Sequence, residues 1–153
     1  MSVAFRRESD DEHREPRFEL PIPPGPNLVT PRGYALIADR TAALEIEVEG
    51  APTERREELL RDLRYWRNRL AAAQVVPAPD GTSVAIGTRV TFDQGGRRRT
   101  VDIVGHDESE PDAGRIAFSA PLAQALIGAE PGDDAEAPNG EPVAIVAAQP
   151  IPG

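Results

Sequence analysis

Hydrophobic residues recur every three or four positions in two consecutive segments, and this spacing predicts two amphipathic helices. The first begins after Thr30, a capping residue followed by proline at the first helical position, and runs to about Glu49. The second begins at Thr53 and continues to about Ala73. Because Gly-Ala-Pro at 50–52 interrupts the pattern, the two helices are predicted to be joined by a tight turn.

Folding the chain back at this turn brings the apolar positions of both helices into one seam, as in an antiparallel coiled coil. The other faces are densely charged. A projecting hairpin, about 28 Å long, is therefore favoured over the alternative of two core helices in one bundle. The predicted pairs are Val48 with Leu59, Leu44 with Leu63, Thr41 with Trp66, and Ile37 with Leu70.

The C-terminal half alternates between hydrophobic and polar residues, as strands do. In "TSVAIGTRVTFDQGGRRRTVDIVG", Val90 and Phe92 share a face with Val101 and Ile103, and "DQGG" closes a hairpin. The other predicted elements are a strand in "RIAFS", a helix in "SAPLAQALIG", a turn at Asn139-Gly140 and a closing strand from about Pro142 to Ala148.

These elements predict an α+β protein in three parts. Residues 29–74 form the antiparallel helical hairpin, and residues 75–153 form a small, mostly antiparallel β-sheet domain with one short helix. Residues 1–28 are charged and then rich in proline, a composition that buries too little apolar surface to offset the entropy of ordering. They predict a flexible, solvated arm, with a docking peptide as the alternative.

Composition excludes several kinds of function. The net charge of −9 at pH 7 argues against nucleic-acid binding through overall charge. The absence of cysteine excludes disulfides, zinc–thiolate sites and thiol catalysis. Because no segment has the pattern of a signal peptide or a membrane span, we expect a cytoplasmic protein with no membrane contact.

Few residues are candidates for chemistry, and no catalytic residue or metal site is predicted. His13 lies in the arm, and His106 lies in the polar loop "VGHDESEPD", where we expect it to be solvated rather than to act as a base. The run Arg97, Arg98 and Arg99 forms a basic patch after the hairpin turn. This patch has two possible roles, and the sequence leaves both open. It can bind phosphate or an acidic partner, or it can simply balance charge on an exposed strand.

Carboxylates concentrate where the two helices meet, at the predicted tip of the hairpin. Such oxygen-rich clusters can hold Mg²⁺, but acidic residues also decorate solvated helix ends, and both interpretations are open. Glu47 and Glu49 lie at the helix end that disfavours negative charge, which favours a functional role. The cluster contains Glu45, Glu47, Glu49, Glu54, Glu57 and Glu58.

Taken together, several stretches resemble the GreA/GreB factors of bacterial transcription elongation over about residues 27–150. They are "NLVTPRGYALIADRTAAL", "RDLRYWRNRLAAAQVV", "VAIGTRVTF", "VDIVGHDESEPDAGRIAFSAPLAQALIGAEPGD" and the closing strand. The resemblance implies a coiled coil followed by a domain shaped like an FK506-binding protein (FKBP-like), and no enzymatic activity of its own. It also implies RNA polymerase as the partner, with nucleic acid contacted only indirectly. In the family, the C-terminal domain docks near the secondary channel, and tip carboxylates help hold the second catalytic Mg²⁺.

The resemblance further implies where this chain contacts polymerase. The stretch that opens the short helix matches the docking surface of the family. Its core positions are expected to be Leu122, Leu126 and Ile127. The expected contact residues are Ser119, Ala120, Pro121 and Gln124.

The predicted tip departs from the family. Gre factors carry an Asp-Leu-x-Glu-Asn-like motif at the tip of a longer coiled coil, whereas this tip has "EIEVEGAPTERREE". The short hairpin is similar to that of the regulator of nucleoside diphosphate kinase (Rnk). We therefore predict a monomeric modulator or competitor, without cofactor, whose tip acids meet Mg²⁺ only inside the polymerase active centre. The alternatives are a Rnk-like regulator of nucleoside diphosphate metabolism acting through protein–protein interaction, and a peptidyl-prolyl isomerase.

Overall fold

The structure, a computed structural model, describes residues 19–152. The first part of the predicted arm, with His13, lies outside the described residues. The chain divides into two compact units. One contains residues 37–71 with residues 19–24, and the other contains residues 25–36 with residues 72–152.

Two long helices follow each other, with the predicted starts. Helix α1 spans Pro31–Glu49, and α2 spans Thr53–Ala72. The backbone N–H of Gly33 donates to Oγ1 of Thr30 at 3.0 Å, so Thr30 caps α1 as predicted. At the other end of α1, the Arg56 guanidinium donates to the carbonyl of Val48 at 2.8 Å.

Four of the predicted seam residues are buried together between α1 and α2. The ion pairs that join the helices link Glu45 to Arg67 at 3.0 Å and Glu47 to Arg55 at 3.7 Å. Later residues of α1 therefore pair with earlier residues of α2. The shared cluster consists of Leu44, Val48, Leu59 and Leu63, with Ala51, Leu60 and Trp66 packed against it.

A five-stranded sheet forms the larger part of the second unit. Its strands are β3 (Thr88–Gln94), β4 (Arg97–Val104), β5 (Arg115–Ala117), β6 (Asp134–Glu136) and β7 (Pro142–Pro150). They lie in the order β5-β4-β3-β7-β6, and every neighbouring pair is antiparallel except β4 and β5. The register of β3 against β7 shifts between Thr91 and Phe92, an irregularity of the kind that bends a strand.

The β3–β4 hairpin forms where the sequence predicts it, with Val90, Phe92, Val101 and Ile103 all buried. Val90 pairs with Val101, and Gln94 pairs with Arg97, leaving a two-residue turn. Gly95 and Gly96 have φ angles of 58° and 78°, the left-handed values that a type I′ turn requires at both positions. The inward residues of both strands are buried.

Helix α3, Pro121–Leu126, packs against one face of this sheet. Ala123 and Leu126 are fully buried, and Leu122 packs at the edge of the same core. The prediction that Ile127 is a core residue is wrong, because the residue is 38% exposed. Its backbone has already turned to an extended conformation at the end of the helix, so the side chain leaves the buried face.

A second, two-stranded sheet was not predicted. Strand β1, Asn27–Val29, pairs in parallel with β2, Ala73–Val75. The predicted flexible arm reaches residue 28, yet Asn27 is buried in this strand. Residues 25–36, which include the first turns of α1, belong to the unit that contains the sheet, and this differs from the predicted division at 28 and 74.

Candidate functional site

Ser119 lies exposed in the turn between β5 and α3, and His106 reaches it from another loop. Nε2 of His106 is 2.7 Å from Oγ of Ser119. The His106 ring also packs against Phe118, with centroids 5.0 Å apart and an interplanar angle of 50°. The expectation that His106 is solvated is wrong, since it is half-buried in a 3₁₀ helix formed by His106–Glu108.

The start of α3 presents the other expected contact residues. Ala120 has extended φ and ψ and precedes Pro121, which occupies the first helical position. The Gln124 amide donates to the carbonyl of Phe118 at 2.7 Å, so the side chain lies back across the turn. Ser119, Pro121 and Gln124 are exposed, whereas Ala120 packs against the core.

Glu108 is a buried carboxylate to which sequence reasoning assigned no role. Its side chain is 2% exposed. It accepts hydrogen bonds from the Thr30 hydroxyl at 2.7 Å and the Arg32 guanidinium at 3.1 Å, and a longer one from the Gly105 N–H. The available signal was "IVGHDE" at 103–108, which lies in one of the stretches that carry the resemblance.

Gly33 lies directly under this carboxylate. A Cβ built at Gly33 would overlap Oε2 and the carboxyl carbon of Glu108. Only glycine therefore allows the first turn of α1 to approach Glu108 so closely. Thr30, Arg32, Gly33 and Glu108 form one contact group in the second unit.

A pocket of about 230 Å³ opens beside this group, with mainly apolar walls. The acidic side chains at its edge are already paired. Asp102 accepts two hydrogen bonds from Arg89, at 2.8 and 3.0 Å, and this pairing raises the pKa of the guanidinium. The pocket walls include Val76, Pro77, Pro79, Val104, Pro150 and Ile151.

The predicted acidic tip is partly neutralised by arginine. Glu47 pairs with Arg55, and Glu45 pairs with Arg67. Within residues 19–152, no group of three or more His, Asp or Glu side chains is arranged to hold a metal ion. The remaining tip acids, all exposed, are Glu49, Glu54, Glu57 and Glu58.

The three arginines of the basic patch have different surroundings. Arg98 donates to both carboxylate oxygens of Asp93, at 2.9 and 3.1 Å, which lowers the pKa of Asp93. Arg99 donates to Gln94 at 3.1 Å, and its guanidinium lies 5.4 Å from the centroid of the Phe92 ring. Arg97 is exposed. The charge of Arg98 is thus balanced by Asp93 within the hairpin. In the contacts that the structure describes, neither Arg97 nor Arg99 forms an ion pair with a carboxylate.

Residues 78–148 match the family model "Transcription elongation factor, GreA/GreB, C-term". These residues are thus similar to the C-terminal domain of GreA/GreB factors. This confirms the resemblance for the sheet, α3 and the Ser119 segment. Among helices of the described residues, none combines the length and apolar character that a membrane span requires.

Curated relatives match about half of this chain. The transcription elongation factor GreA of Desulfovibrio desulfuricans is 36% identical over 76 residues, 47% of each chain. The corresponding GreA of Ralstonia nicotianae is 43% identical over 82 residues, 48% of this chain and 51% of the relative. The chain thus spans about half the length of the curated relatives it matches.

Solved structures of similar proteins align over a longer range but more distantly. GreA factor homolog 1 (Gfh1) of Thermus thermophilus is 17% identical, with 82% of this chain and 99% of that one covered and a TM-score of 0.41. A GreA/GreB factor from Nitrosomonas europaea is 24% identical, with coverages of 82% and 99% and a TM-score of 0.40. At these scores the likeness assigns no function.

Proposed function

We propose that the protein is a regulator of transcription elongation that binds bacterial RNA polymerase through its GreA/GreB C-terminal domain. The observation that carries the proposal is the family match over residues 78–148. That match includes the whole segment from Ser119 to Leu126, with its exposed polar side chains above a buried apolar face. The protein acts as a cytoplasmic monomer near the secondary channel and meets nucleic acid only through the polymerase complex.

The contact surface consists of the turn that contains Ser119, which is hydrogen-bonded to Gln124 through the Phe118 carbonyl, and the first turn of α3. Ser119, Pro121 and Gln124 are exposed side by side, while Ala123 and Leu126 anchor the helix beneath them. An anchored surface of this kind supports docking because little conformational freedom is lost on binding. Ala120 contributes through its backbone and by positioning Pro121.

Helices α1 and α2 form a short antiparallel coiled coil with an acidic tip, and the protein modulates polymerase rather than stimulating full transcript cleavage. The helices contain 19 and 20 residues, which corresponds to about 30 Å of length each. Glu47, at the tip, is engaged by Arg55. The protein has no cofactor of its own, and its tip acids meet Mg²⁺ only if they reach the polymerase active centre.

The test is binding of the full chain to purified bacterial core RNA polymerase, followed by a transcript-cleavage assay on backtracked complexes. We expect a stable complex and little or no stimulation of cleavage. Absence of binding contradicts the polymerase-binding proposal. Binding with GreA-like cleavage keeps the partner but contradicts the modulator role. Capture of a nucleotide kinase instead of polymerase from a lysate would favour the Rnk-like alternative.

A further inference from the structure

We propose that His106 is a positioning residue for Ser119 in the docking surface, an inference that rests on the proposed binding to polymerase. The two side chains come from different loops and meet at 2.7 Å. Which atom donates depends on the imidazole tautomer. In either tautomer, the bond fixes the direction in which the Ser119 hydroxyl can donate to or accept from a partner.

The 3₁₀ helix that carries His106 is firmly held. Glu108, in the same turn, receives the Thr30 hydroxyl and the Arg32 guanidinium while remaining buried. Displacing this carboxylate would separate a buried charge from its donors, which is strongly unfavourable. His106 therefore projects from a fixed base, and the position of its ring is determined before any partner arrives.

The His106 ring also supports the turn next to Ser119. It packs against Phe118, and the Phe118 carbonyl accepts the hydrogen bond from Gln124. One imidazole thus contacts both the hydroxyl of one docking residue and the residue that orients another. Ring contacts of this kind favour a defined geometry over a range of orientations.

Preorganisation gives this arrangement a measurable effect on affinity. A serine hydroxyl without a partner distributes over three χ1 rotamers, and binding must then select one of them. Loss of the His106 bond should therefore weaken polymerase binding by roughly three- to tenfold. The loss should depend on Ser119, because His106 acts through it.

A double-mutant cycle tests this dependence in the full chain. The dissociation constant for bacterial core RNA polymerase is measured for wild type, His106→Ala, Ser119→Ala and the double variant. We expect each single variant to bind more weakly and the double variant to be no weaker than Ser119→Ala. His106→Gln should recover most of the affinity, since its amide can bond the hydroxyl. Additive losses, or a Gln variant as weak as the Ala variant, would overturn the inference.

Two further measurements separate this inference from the proposed function. Thr91→Ala removes a hydroxyl that contacts Thr100 at 3.4 Å elsewhere on the same unit, and it should leave polymerase binding unchanged. Imidazole ¹⁵N chemical shifts of His106, compared between wild type and Ser119→Ala, report the bond without polymerase. Unchanged shifts would overturn the positioning role. A wild-type protein that shows the bond but does not bind polymerase would instead refute the proposed function.

Discussion

At the residue scale, Glu108 joins segments that are far apart in the sequence. Its carboxylate accepts hydrogen bonds from the hydroxyl of Thr30, the guanidinium of Arg32 and the N–H of Gly105. Arg32 is 54% exposed, whereas the Glu108 side chain is buried. This is a charged group whose retention in the interior depends on having donors around it.

Glu108→Gln should destabilise the protein by about 1–3 kcal/mol. An amide nitrogen, which donates, would replace one of the carboxylate oxygens that accept hydrogen bonds from Thr30, Arg32 and Gly105, and the charge that pairs with Arg32 would be lost. Urea unfolding of the full chain measures the change. Glu110→Gln is the matched control, because Glu110 also pairs with an arginine but is 62% exposed. Equal effects of the two variants would contradict the role of burial.

Gly33→Ala should also lower the free energy of unfolding, by about 1–3 kcal/mol. Alanine has a higher helix propensity than glycine, but its Cβ would overlap the Glu108 carboxylate and displace it. Gly50→Ala is the control, since a Cβ there has nothing within 4 Å. Chemical denaturation compares the two. A Gly33→Ala protein as stable as wild type would show that the carboxylate moves aside at no cost.

At the element scale, α1 and α2 stabilise each other through a small apolar cluster, whereas the β3–β4 hairpin is tied by a two-glycine turn and cross-strand pairs. On the exposed face of the hairpin, Asp93 lies opposite Arg98 in the register. Charged pairs directly across two strands add to pairing and also discourage association through the strand edge.

Leu63→Ala should reduce stability by about 2–5 kcal/mol and lower the helical signal in far-UV circular dichroism at elevated temperature. Leu63 is buried in the cluster that α1 and α2 share, so its removal leaves a cavity in that cluster. Ile46→Ala is the control, because Ile46 is 73% exposed on α1. Similar thermal shifts for both variants would argue against a packed seam.

The pKa of Asp93 should be lower in the wild type than in an Arg98→Gln variant, because the hydrogen bonds from Arg98 favour the charged carboxylate. A depressed pKa means that this pair stabilises the fold above the pKa of an unfolded aspartate, about 3.9, and that the contribution disappears as pH falls through the folded-state value. NMR titration of the carboxyl carbon gives both pKa values. Identical values would show that the pair is absent in solution.

At the scale of the whole molecule, the family match covers the C-terminal domain, while the helices that precede it carry different acidic residues from the family motif. Under the proposed function, docking would belong to the C-terminal domain, and any action in the channel would belong to the helices. We therefore propose that the protein occupies the docking position without delivering the chemistry of a cleavage factor.

Competition with GreA tests this division. The full chain should inhibit GreA-stimulated transcript cleavage in a concentration-dependent manner, and a Ser119→Ala/Gln124→Ala variant should need about tenfold more protein for the same inhibition. Thr91→Ala should inhibit as wild type does. If the double variant inhibits as well as wild type, the polymerase contact lies elsewhere on the protein. If the wild-type protein does not inhibit cleavage, the proposed competitor role is wrong.

The β3–β4 hairpin, the two long helices and the short helix could be predicted because the sequence signals for them are local. The Thr30 cap, the Gly95-Gly96 turn and the proline at the start of α3 act within a few residues of the sequence. The β1–β2 pair could not be predicted, because three-residue strands show no periodicity and pair across more than forty positions. Ile127 was misplaced for a related reason, since spacing does not reveal that the helix ends one residue earlier.

The candidate site divides in the same way. The sequence by itself determined the α+β class, the short helix that follows Ser119 and the acidic end of the helices, because residue type and spacing specify local conformation and charge. Only the tertiary structure decided that His106 reaches Ser119 and that Glu108 is buried against Thr30, Arg32 and Gly33. Both contacts join loops distant in sequence, and their formation depends on how the sheet and helix ends pack, which no local pattern encodes.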